Sequence, residues 1–512
     1  MLLHTYIILL CSILSANAYK LLLVFPIPSK SHAILGEGFV THLLKAGHEI
    51  TYVTPTLIKG SPGLRQIDVS ENARVLSPEI FDVSKVLTKE LNLQDYELWS
   101  VVMTEILNVT LNSDNVQRLL NDKDEKFDAV IVEWLFTELG AGFSTIFNCP
   151  LIWSSSMSPH TYVTSLVNEH LNPAYIPTLL STKYSFEFWD RALNLWTYLK
   201  IWNYKRQFAD KETKIYEEVF RPAAALRGQI LPAFDEVRYN ASLMFGNSHV
   251  SVAETIALPQ NYKDIGGYHI KRNVDPLPQN LQQIMDNARD GVIYFSLGSL
   301  LQPQKMPMKM KRDLLNYFSA LKQTVIWKLG ENLTDVPKNV HLLSWAPQQS
   351  ILAHPNCVLF ITHAGLLSIL EAMYFGVPMI GLPFFADQFL NIERVLAKGF
   401  AKRLDFSYNS PVELNEAIKE ILSNTSYRDR AKEWSSIYHD KLVYPDKELV
   451  FWVEHVIKTR GANHLRSIAL ATEWYKKYYI DLLACSLVSI TVLFLALCKL
   501  LSLFKNNKKK TD

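Results

Sequence analysis

Short apolar runs alternate with helix-length stretches through most of this 512-residue chain, and this alternation restricts the fold more than any other feature. In the first half, an apolar run at residues 20–25 is followed by a Pro/Ser loop, a helical stretch that ends near Gly47, and a second run at residues 48–54. A strand–helix–strand unit of this length predicts a parallel sheet, because parallel strands need a long crossover connection. Runs at residues 127–132 and 150–154 are predicted to add strands to the same doubly wound α/β domain.

The second half repeats this pattern. Five further strands are predicted at residues 291–295, 324–327, 340–343, 358–361 and 378–382. In open α/β sheets, ligands bind beyond the carboxyl ends of the strands, so the residues that follow each strand are the first candidates for a site. Aromatic-rich helical segments such as residues 189–220 either shape an apolar pocket or pack in the core. Neither half contains Gly-x-Gly-x-x-Gly, so nothing favours a nicotinamide or flavin cofactor.

Both ends of the chain predict a membrane protein of the secretory pathway. Residues 1–18 contain an apolar run and close with Ala-Asn-Ala, a pattern typical of signal-peptide cleavage. Residues 478–498 are apolar apart from Asp481, and about 20 such residues suffice for a helix to cross a bilayer. Lysines beyond this span predict a cytoplasmic tail, and its last four residues, Lys-Lys-Thr-Asp, resemble a dilysine retrieval signal. We therefore expect a single-pass type I protein of the endoplasmic reticulum membrane with its main body in the lumen.

Together these features divide the chain into six predicted segments. They are a signal peptide at 1–18, an N-terminal Rossmann-like domain at 19–272, a linker at 273–290, a C-terminal Rossmann-like domain with return helices at 291–477, a transmembrane helix at 478–504 and a cytoplasmic tail at 505–512. The linker begins with a stretch rich in Pro and Asn, which is typical of a domain boundary.

Composition excludes several classes of function. The formal net charge is +2 and no basic stripe is present, so a nucleic-acid partner is not expected. Of five cysteines, only Cys149 and Cys357 are predicted to reach the lumen, and two cannot build a disulfide framework or a metal site. Asn-x-Ser/Thr sequons at Asn108, Asn240, Asn332 and Asn424 are compatible with a luminal glycoprotein.

The densest set of chemically informative residues lies between residues 345 and 388. It comprises Trp-Ala-Pro-Gln at 345–348, His-Ala-Gly at 363–365, Ser368, Glu371, and Asp-Gln at 387–388. His363 and Gly365 follow a predicted strand and open a helix, where free N–H groups and the helix dipole favour a phosphate without any metal. This span therefore predicts a site for a phosphorylated ligand.

The same span resembles the donor-binding signature of the UDP-glycosyltransferases, and Phe-Ser-Leu-Gly-Ser at 295–299 is also similar to that family. The resemblance covers nearly the whole chain, and Val-Glu-Trp-Leu-Phe at 132–136 looks more like the insect members, which mostly use UDP-glucose. It implies a GT-B fold, in which two Rossmann-like domains with parallel sheets face each other across the active site. The donor would bind the C-terminal domain and the acceptor the N-terminal one. A UDP-sugar would serve as co-substrate, with no other cofactor and no metal.

The resemblance also implies a role for each residue of the donor site. Trp345 would stack on uracil, Gln348 would hydrogen-bond its edge, Glu371 would hold the ribose hydroxyls, Ser299, His363, Gly365 and Ser368 would contact the diphosphate, and Asp387 and Gln388 would bind the sugar hydroxyls.

Sugar transfer to a hydroxyl needs a base, because an alcohol is a poor nucleophile until its proton is being removed. His32 lies in the loop after the first strand, within the Ser-His pattern where the family carries its catalytic histidine. The family orients this histidine with an aspartate after the strand at 127–132, and here that position is Glu133. The extra methylene displaces the carboxylate by about 1.5 Å, so the pair is expected to form after local adjustment. The alternative for Glu133 is a solvated charge at a strand end.

The sequence therefore predicts an inverting hexosyltransferase that moves glucose from UDP-glucose to a hydroxyl of a small lipophilic acceptor, as in detoxification of phenols, steroids or xenobiotics. Two other classes stay open: glycosylation of a membrane lipid, and a catalytically weak UDP-sugar-binding protein, for which a base such as His32 has no use. A glycoside hydrolase with paired carboxylates would not need the uracil and diphosphate signature. The acceptor, the choice between UDP-glucose and UDP-glucuronate, and assembly into a homo-oligomer are left undetermined.

Overall fold

The computed structural model describes residues 18–88, 90, 92–253 and 255–508. The predicted signal peptide, apart from its last residue, and the four residues of the dilysine sequence lie outside this part of the chain. Two parallel sheets form the body of the molecule, each built from strands that alternate with helices.

Thirteen strands are present in the described residues. They are β1 (Lys20–Val24), β2 (Glu49–Thr54), β3 (Leu64–Asp68), β4 (Ala129–Trp134), β5 (Leu151–Ser155), β6 (Leu243–Gly246), β7 (Tyr262–Asp264), β8 (Val292–Ser296), β9 (Thr324–Lys328), β10 (Val340–Leu343), β11 (Cys357–Thr362), β12 (Met379–Gly381) and β13 (Ala401–Arg403). The first sheet has the order β3-β2-β1-β4-β5-β6-β7 and the second has the order β10-β9-β8-β11-β12-β13. All pairings within both sheets are parallel, which confirms the predicted doubly wound α/β architecture.

Helices cover the faces of both sheets, so the central strands are buried on both sides and read as continuous apolar runs. The helices are α1 (Lys30–Lys45), α2 (Val83–Leu87), α3 (Tyr96–Leu111), α4 (Asp114–Asn121), α5 (Gly142–Phe147), α6 (Thr161–Thr164), α7 (Phe188–Leu226), α8 (Phe234–Arg238), α9 (Gln279–Asn287), α10 (Met308–Ser319), α11 (Gln348–Leu352), α12 (Leu366–Phe375), α13 (Gln388–Leu396), α14 (Ser410–Ser423), α15 (Ser426–His439), α16 (Pro445–Lys458), α17 (Ile468–Ala471), α18 (Trp474–Lys477) and α19 (Ile480–Lys508).

The nine strands predicted from the sequence all occur, at β1, β2, β4, β5 and β8 to β12. Strands β3, β6, β7 and β13 were not predicted. Three of these lie at the edges of their sheets, and β7 and β13 have only three residues each, which is too short to show a period. Strand β3 is only partly buried, so it lacks the apolar run that marked the central strands.

The chain returns to its first half near the carboxyl end. Helix α16 packs on α1 and on the first sheet, where Leu449, Val453 and Val456 share a buried cluster with Leu35 and Phe39. This return packs the carboxyl-terminal part of the chain against the first sheet before the chain continues to its last helix. Among the described residues, one helix, Ile480–Leu503, is long and apolar enough to cross a membrane.

Helix α7 accounts for the aromatic-rich segment at residues 189–220. Its second half is core, with Tyr216, Val219 and Phe220 buried against the first sheet's helices. Its first half is neither pocket nor core, because Trp189 and Trp196 are 80% and 66% exposed.

Candidate active site

A cavity of about 900 Å³ lies between the carboxyl ends of the two sheets. It is lined by ten of the eleven predicted site residues: His32, Ser299, Trp345, Gln348, His363, Gly365, Ser368, Glu371, Asp387 and Gln388. The eleventh, Glu133, lies behind the ring of His32 rather than on the cavity wall. The structure therefore brings all eleven residues to one place, although they span more than 350 residues of sequence.

His32 is held in the first turn of α1. Ser29 is the N-cap of this helix, and its side chain accepts a hydrogen bond from the His32 N–H at 3.4 Å. The His32 Nδ1 lies 2.5 Å from Oε1 of Glu133, the fifth residue of β4. Glu133 is 4% exposed, so its interpretation as a solvated charge is wrong. Both partners project from the carboxyl edge of the first sheet, because β1 and β4 are parallel neighbours.

The electrostatics of this pair favour the protonated ring. Burial lowers the pKa of His32, but the charge and hydrogen bond of Glu133 outweigh it, with a smaller contribution from Asp387, and the pKa is raised above its ordinary value of 6.5. Glu133 therefore stabilises an imidazolium at the position where a proton would be received. Because Nδ1 faces the carboxylate, the other ring nitrogen is the one available to the cavity.

Asp387 and Gln388 lie at the start of α13, where the second sheet approaches His32. Asp387 is partly buried, its desolvation raises the pKa of its carboxyl group, and its Oδ2 accepts a hydrogen bond from Asn391 Nδ2 at 2.9 Å. Gln388 Oε1 accepts hydrogen bonds from the backbone N–H groups of Phe384 and Phe385 at 2.8 and 3.2 Å, which fixes the loop before the helix. This pair therefore presents polar groups to the cavity beside the candidate base.

The turn that opens α12 is tightly built around His363. Ala364 has a φ of 64° and Gly298 has a φ of 79°, so both occupy the left-handed region. A Cβ at Gly298 or Gly365 would lie 2.5 Å from the His363 ring, so these two glycines allow the imidazole to sit between them. Burial, with a smaller contribution from the Lys328 charge, lowers the pKa of His363 to about 4. His363 is therefore neutral, and the helix N-terminus beside it offers N–H groups suited to a phosphate.

Two lysines that the sequence did not indicate flank Trp345. Nζ of Lys30 lies 3.9 Å from the Trp345 ring centroid and Nζ of Lys328 lies 4.3 Å from it. Lys328 also donates a hydrogen bond to the carbonyl of Gly298 at 2.7 Å, and burial, followed by repulsion from Lys30, lowers its pKa to about 8. Lys328 ends β9, so the rule that ligands meet the carboxyl ends of strands was a usable signal for it.

Glu371 is the centre of a polar network on the side of α12 that faces the cavity. Its carboxylate accepts hydrogen bonds from Nε2 of Gln348 at 2.6 Å and Nε2 of Gln349 at 2.9 Å, and Nε2 of His269 lies 3.5 Å away. Gln348 also donates to Ser368 Oγ at 3.1 Å. Gln349 adjoins a predicted residue, whereas His269 follows β7 in the first half and had no local signal. These contacts hold Glu371 in a fixed orientation toward the cavity.

The part of the cavity wall that comes mainly from the first half of the chain is apolar. It consists of Ile27, Leu76, Phe81, Trp99, Met103, Leu135, Phe136 and Met157, with Phe385 from the second half. The rings of Phe81 and Trp99 lie 5.6 and 5.7 Å from that of Phe385, measured between centroids, so aromatic packing closes the cleft at this end. No group of three or more His, Cys, Asp or Glu side chains within the described ranges is arranged to hold a metal ion.

Comparison with known proteins agrees with this geometry. Residues 20–511 match the family model described as UDP-glucoronosyl and UDP-glucosyl transferase. UDP-glucosyltransferase 2 of Dactylopius coccus is 31% identical to this chain over 94% of the chain and 92% of its own length. UDP-glucuronosyltransferase 2B7 of Homo sapiens is 28% identical over 91% of this chain and 90% of its own length.

Solved structures share the fold at lower sequence identity. CalG4, the calicheamicin glycosyltransferase, superposes with a TM-score of 0.56 at 19% identity and covers 86% of this chain and 99% of its own. A UDP-glucosyltransferase from Polygonum tinctorium superposes with a TM-score of 0.55 at 14% identity and covers 87% of this chain and 100% of its own. The two facing parallel sheets are thus the GT-B fold that the resemblance to the UDP-glycosyltransferases implied.

Proposed function

Because this chain belongs to the UDP-glycosyltransferase family, whose members transfer a sugar from a UDP-sugar, we propose that it moves glucose with inversion to a hydroxyl of a small lipophilic acceptor. The chain is an enzyme of the hexosyltransferase kind by its family, and the proposal concerns its donor, its acceptor and its base. The observation that carries it is the His32–Glu133 pair, which faces the same cavity as the N-terminus of α12.

His32 is proposed as the general base. With Nδ1 engaged by Glu133, Nε2 takes the proton of the acceptor hydroxyl as its oxygen attacks the anomeric carbon. Glu133 then stabilises the imidazolium, as its effect on the pKa of His32 indicates. The proton thus moves to His32 Nε2, while the bond between the anomeric carbon and the phosphate oxygen breaks and UDP leaves with its electron pair.

The donor is proposed to lie along the second sheet's edge. The diphosphate would meet the opening of α12 at Ser299, His363, Gly365 and Ser368, the uracil would meet Trp345 and Gln348, and the ribose would meet Glu371. Two features support this arrangement: the free N–H groups at a helix N-terminus, and the cation of Lys328 within the same part of the cavity. Both stabilise the negative charge that develops on departing UDP.

Asp387 and Gln388 are proposed to bind the hydroxyls of the transferred sugar. His32 and Asp387 line the same cavity, and the charge of Asp387 contributes to the raised pKa of His32. In this proposed arrangement, the base and the leaving diphosphate would lie on opposite sides of the anomeric carbon. A single displacement from such a geometry converts an α-linked donor into a β-glycoside.

The acceptor is proposed to be a lipophilic alcohol or phenol. The wall formed by Phe81, Trp99, Met103 and their neighbours offers apolar and aromatic surface, and such pockets fix a ligand through a few polar groups. We further propose that α19 anchors the enzyme in the endoplasmic reticulum membrane with this cleft in the lumen, on the strength of the apolar helix and the sequence features at both ends.

The proposal is tested by UDP release from the full-length protein in detergent. UDP-glucose, UDP-glucuronate, UDP-galactose and UDP-N-acetylglucosamine are each offered with a panel of phenols, steroids and ceramide. We expect turnover with UDP-glucose and phenols, and a loss of about 10²- to 10⁴-fold in His32→Ala with UDP binding retained. His341→Gln, on β10 and away from the cavity, is the matched histidine control.

Other outcomes select the competing functions. Turnover restricted to ceramide would favour a membrane-lipid glycosyltransferase. A preference for UDP-glucuronate would identify that nucleotide sugar, rather than UDP-glucose, as the donor. UDP binding without turnover on any donor would favour a binding protein and exclude the proposed chemistry.

A further inference from the structure

Lys30 connects the two halves of the chain across the cleft. It is the first residue of α1, two positions before His32, and it lines the cavity. Its Nζ lies 3.9 Å from the centroid of the Trp345 ring, which belongs to the loop between β10 and α11. A cation from the helix that carries the proposed base thus lies against the wall proposed for the donor.

The corner around Trp345 holds positive charge that the protein does not neutralise. Nζ of Lys328 lies 4.3 Å from the same ring centroid, so two cations share one indole. Within the described part of the chain, no carboxylate forms an ion pair with either lysine. Burial, followed by repulsion from Lys30, lowers the pKa of Lys328 to about 8. Because the two cations repel each other, an anion that binds beside both of them relieves this repulsion.

The anion that this corner fits is a diphosphate. Lys328 donates a hydrogen bond to the Gly298 carbonyl at 2.7 Å, and a Cβ at Gly298 would lie 2.5 Å from the ring of His363. His363 lies just before α12, so the lysine corner adjoins the helix N-terminus at which the phosphates are proposed to bind. The N–H groups of that helix end favour the same negative charge as the two lysines do.

Uracil and Lys30 compete for the same indole. The stacking of uracil proposed for Trp345 needs a face of its ring, and the ammonium group of Lys30 lies over that ring. Lys30 is exposed, and a cation–π contact at an exposed site is weak, whereas a lysine bound to phosphate forms a charge-assisted hydrogen bond. The flexible four-carbon stem of lysine lets the ammonium group exchange the first partner for the second.

We propose that Lys30 binds the diphosphate of the UDP-sugar from the first half of the chain and thereby links donor binding to the helical turn that carries His32. This inference rests on the donor placement given under the proposed function. In that placement α12 and Lys328 hold the phosphates from the second half, and Lys30 holds them from the first. Lys30 is therefore a donor-binding residue that also positions the base, because the two side chains leave the same turn of α1.

The first test compares UDP with uridine, which has the base and ribose but no phosphate. Isothermal titration calorimetry uses the full-length protein in detergent and needs neither acceptor nor turnover. In Lys30→Met, we expect the Kd of UDP to rise about tenfold, as for the loss of a charge-assisted hydrogen bond, and the Kd of uridine not to rise. Lys30→Arg keeps the charge and should recover most of the affinity for UDP. Lys59→Met, at an exposed lysine of the first half outside the cavity, is the matched control.

The second test measures hydrogen exchange of the backbone amides in the first turn of α1. UDP should slow this exchange in the wild type and much less in Lys30→Met, whereas uridine should leave it unchanged in both proteins. This readout separates a link between the two halves from a simple loss of affinity, because each protein is measured at saturating ligand.

Three outcomes would overturn the inference. Unchanged affinity for UDP in Lys30→Met would remove Lys30 from the donor site, and equal weakening of UDP and uridine would show that Lys30 only packs against Trp345. Equal slowing of exchange by UDP in both proteins would show that Lys30 does not link the donor to the turn of His32. If neither UDP nor uridine binds the wild type, the proposed donor site itself is wrong, which distinguishes failure of the proposed function from failure of this inference.

Discussion

Two histidines on opposite sides of the cleft show how a neighbouring charge decides the chemistry of the same side chain. His32, from the first half, has a raised pKa because the buried Glu133 carboxylate outweighs the cost of burial. His363, from the second half, has a pKa lowered to about 4, because burial acts there together with the Lys328 cation. The first ring is suited to receive a proton, whereas the second remains neutral and can only donate or accept a hydrogen bond. Burial alone would have lowered the pKa values of both histidines.

Removing the Glu133 carboxylate should abolish the difference between the pKa values of His32 and His363, and it should cause the largest loss of activity. In Glu133→Gln, we expect kcat to fall about 10²-fold, because the imidazolium loses its stabilising charge. In the wild type, activity falls as pH drops through the raised pKa of His32, since the base works only when neutral. Without the carboxylate charge, burial lowers that pKa, so the acidic limb of the pH profile should move to lower pH.

The control for this substitution is Glu133→Asp, which keeps the charge and restores the residue that the family pattern has at this position. Its loss of kcat should be smaller than that of the amide variant, and its acidic limb should stay nearer to that of wild type. An unshifted limb in Glu133→Gln would show that Glu133 does not control the titration of the base.

Substitution of Lys328 tests the second member of the comparison, His363 and the positive charge beside it. In Lys328→Met, we expect the Kd of UDP to rise about tenfold, which corresponds to about 1.4 kcal/mol. The pKa of this lysine is lowered to about 8, so wild-type affinity for UDP should weaken as pH rises through that value and the cation is lost. Isothermal titration calorimetry between neutral and alkaline pH measures both effects.

The variant should lack this alkaline weakening, because no charge remains to titrate. Lys322→Met removes an exposed lysine a few residues before Lys328 and should leave the affinity and its pH dependence as in wild type. A variant that binds UDP as tightly as wild type would remove Lys328 from the donor site.

His363→Gln should give the smallest effect. The substitution keeps hydrogen-bonding groups but changes their placement, so the KM for the donor should rise about three- to tenfold, as for the loss of one hydrogen bond. Because His363 is neutral down to a pH of about 4, the acidic limb should stay where it is in wild type. A shift of that limb, measured as kcat/KM against pH, would mean that both histidines titrate together and that the contrast between them is wrong.

The central strands and the donor-site residues could be predicted because the sequence patterns that identify them lie within short, continuous segments. Apolar runs of four to six residues marked β1, β4 and β8, and the site residues from 345 to 388 lie within one continuous segment. Strands β7 and β13 were not predictable, because three residues carry no period and their pairing is decided by the neighbouring strand.

Contacts between distant residues were beyond local patterns. His32 and Glu133 are 101 residues apart, and only the resemblance to a family connected them before the structure did. Lys30, next to the Ser-His pattern, was not associated with Trp345, which belongs to the other half of the cleft. His269 carried no signal at all for its position beside Glu371. Each of these pairs depends on how the two sheets face each other.

The sequence by itself determined the doubly wound architecture, the residue types of the donor segment, the likeness to UDP-glycosyltransferases and the apolar helix near the end. These follow from periodicity and from spacing within short segments, which are properties of a linear chain. The tertiary structure alone decided the opposite electrostatics of His32 and His363, the lysines around Trp345 and the outward face of α7. These depend on burial and on charges brought together from distant segments, and neither quantity exists until the sheets and helices have packed.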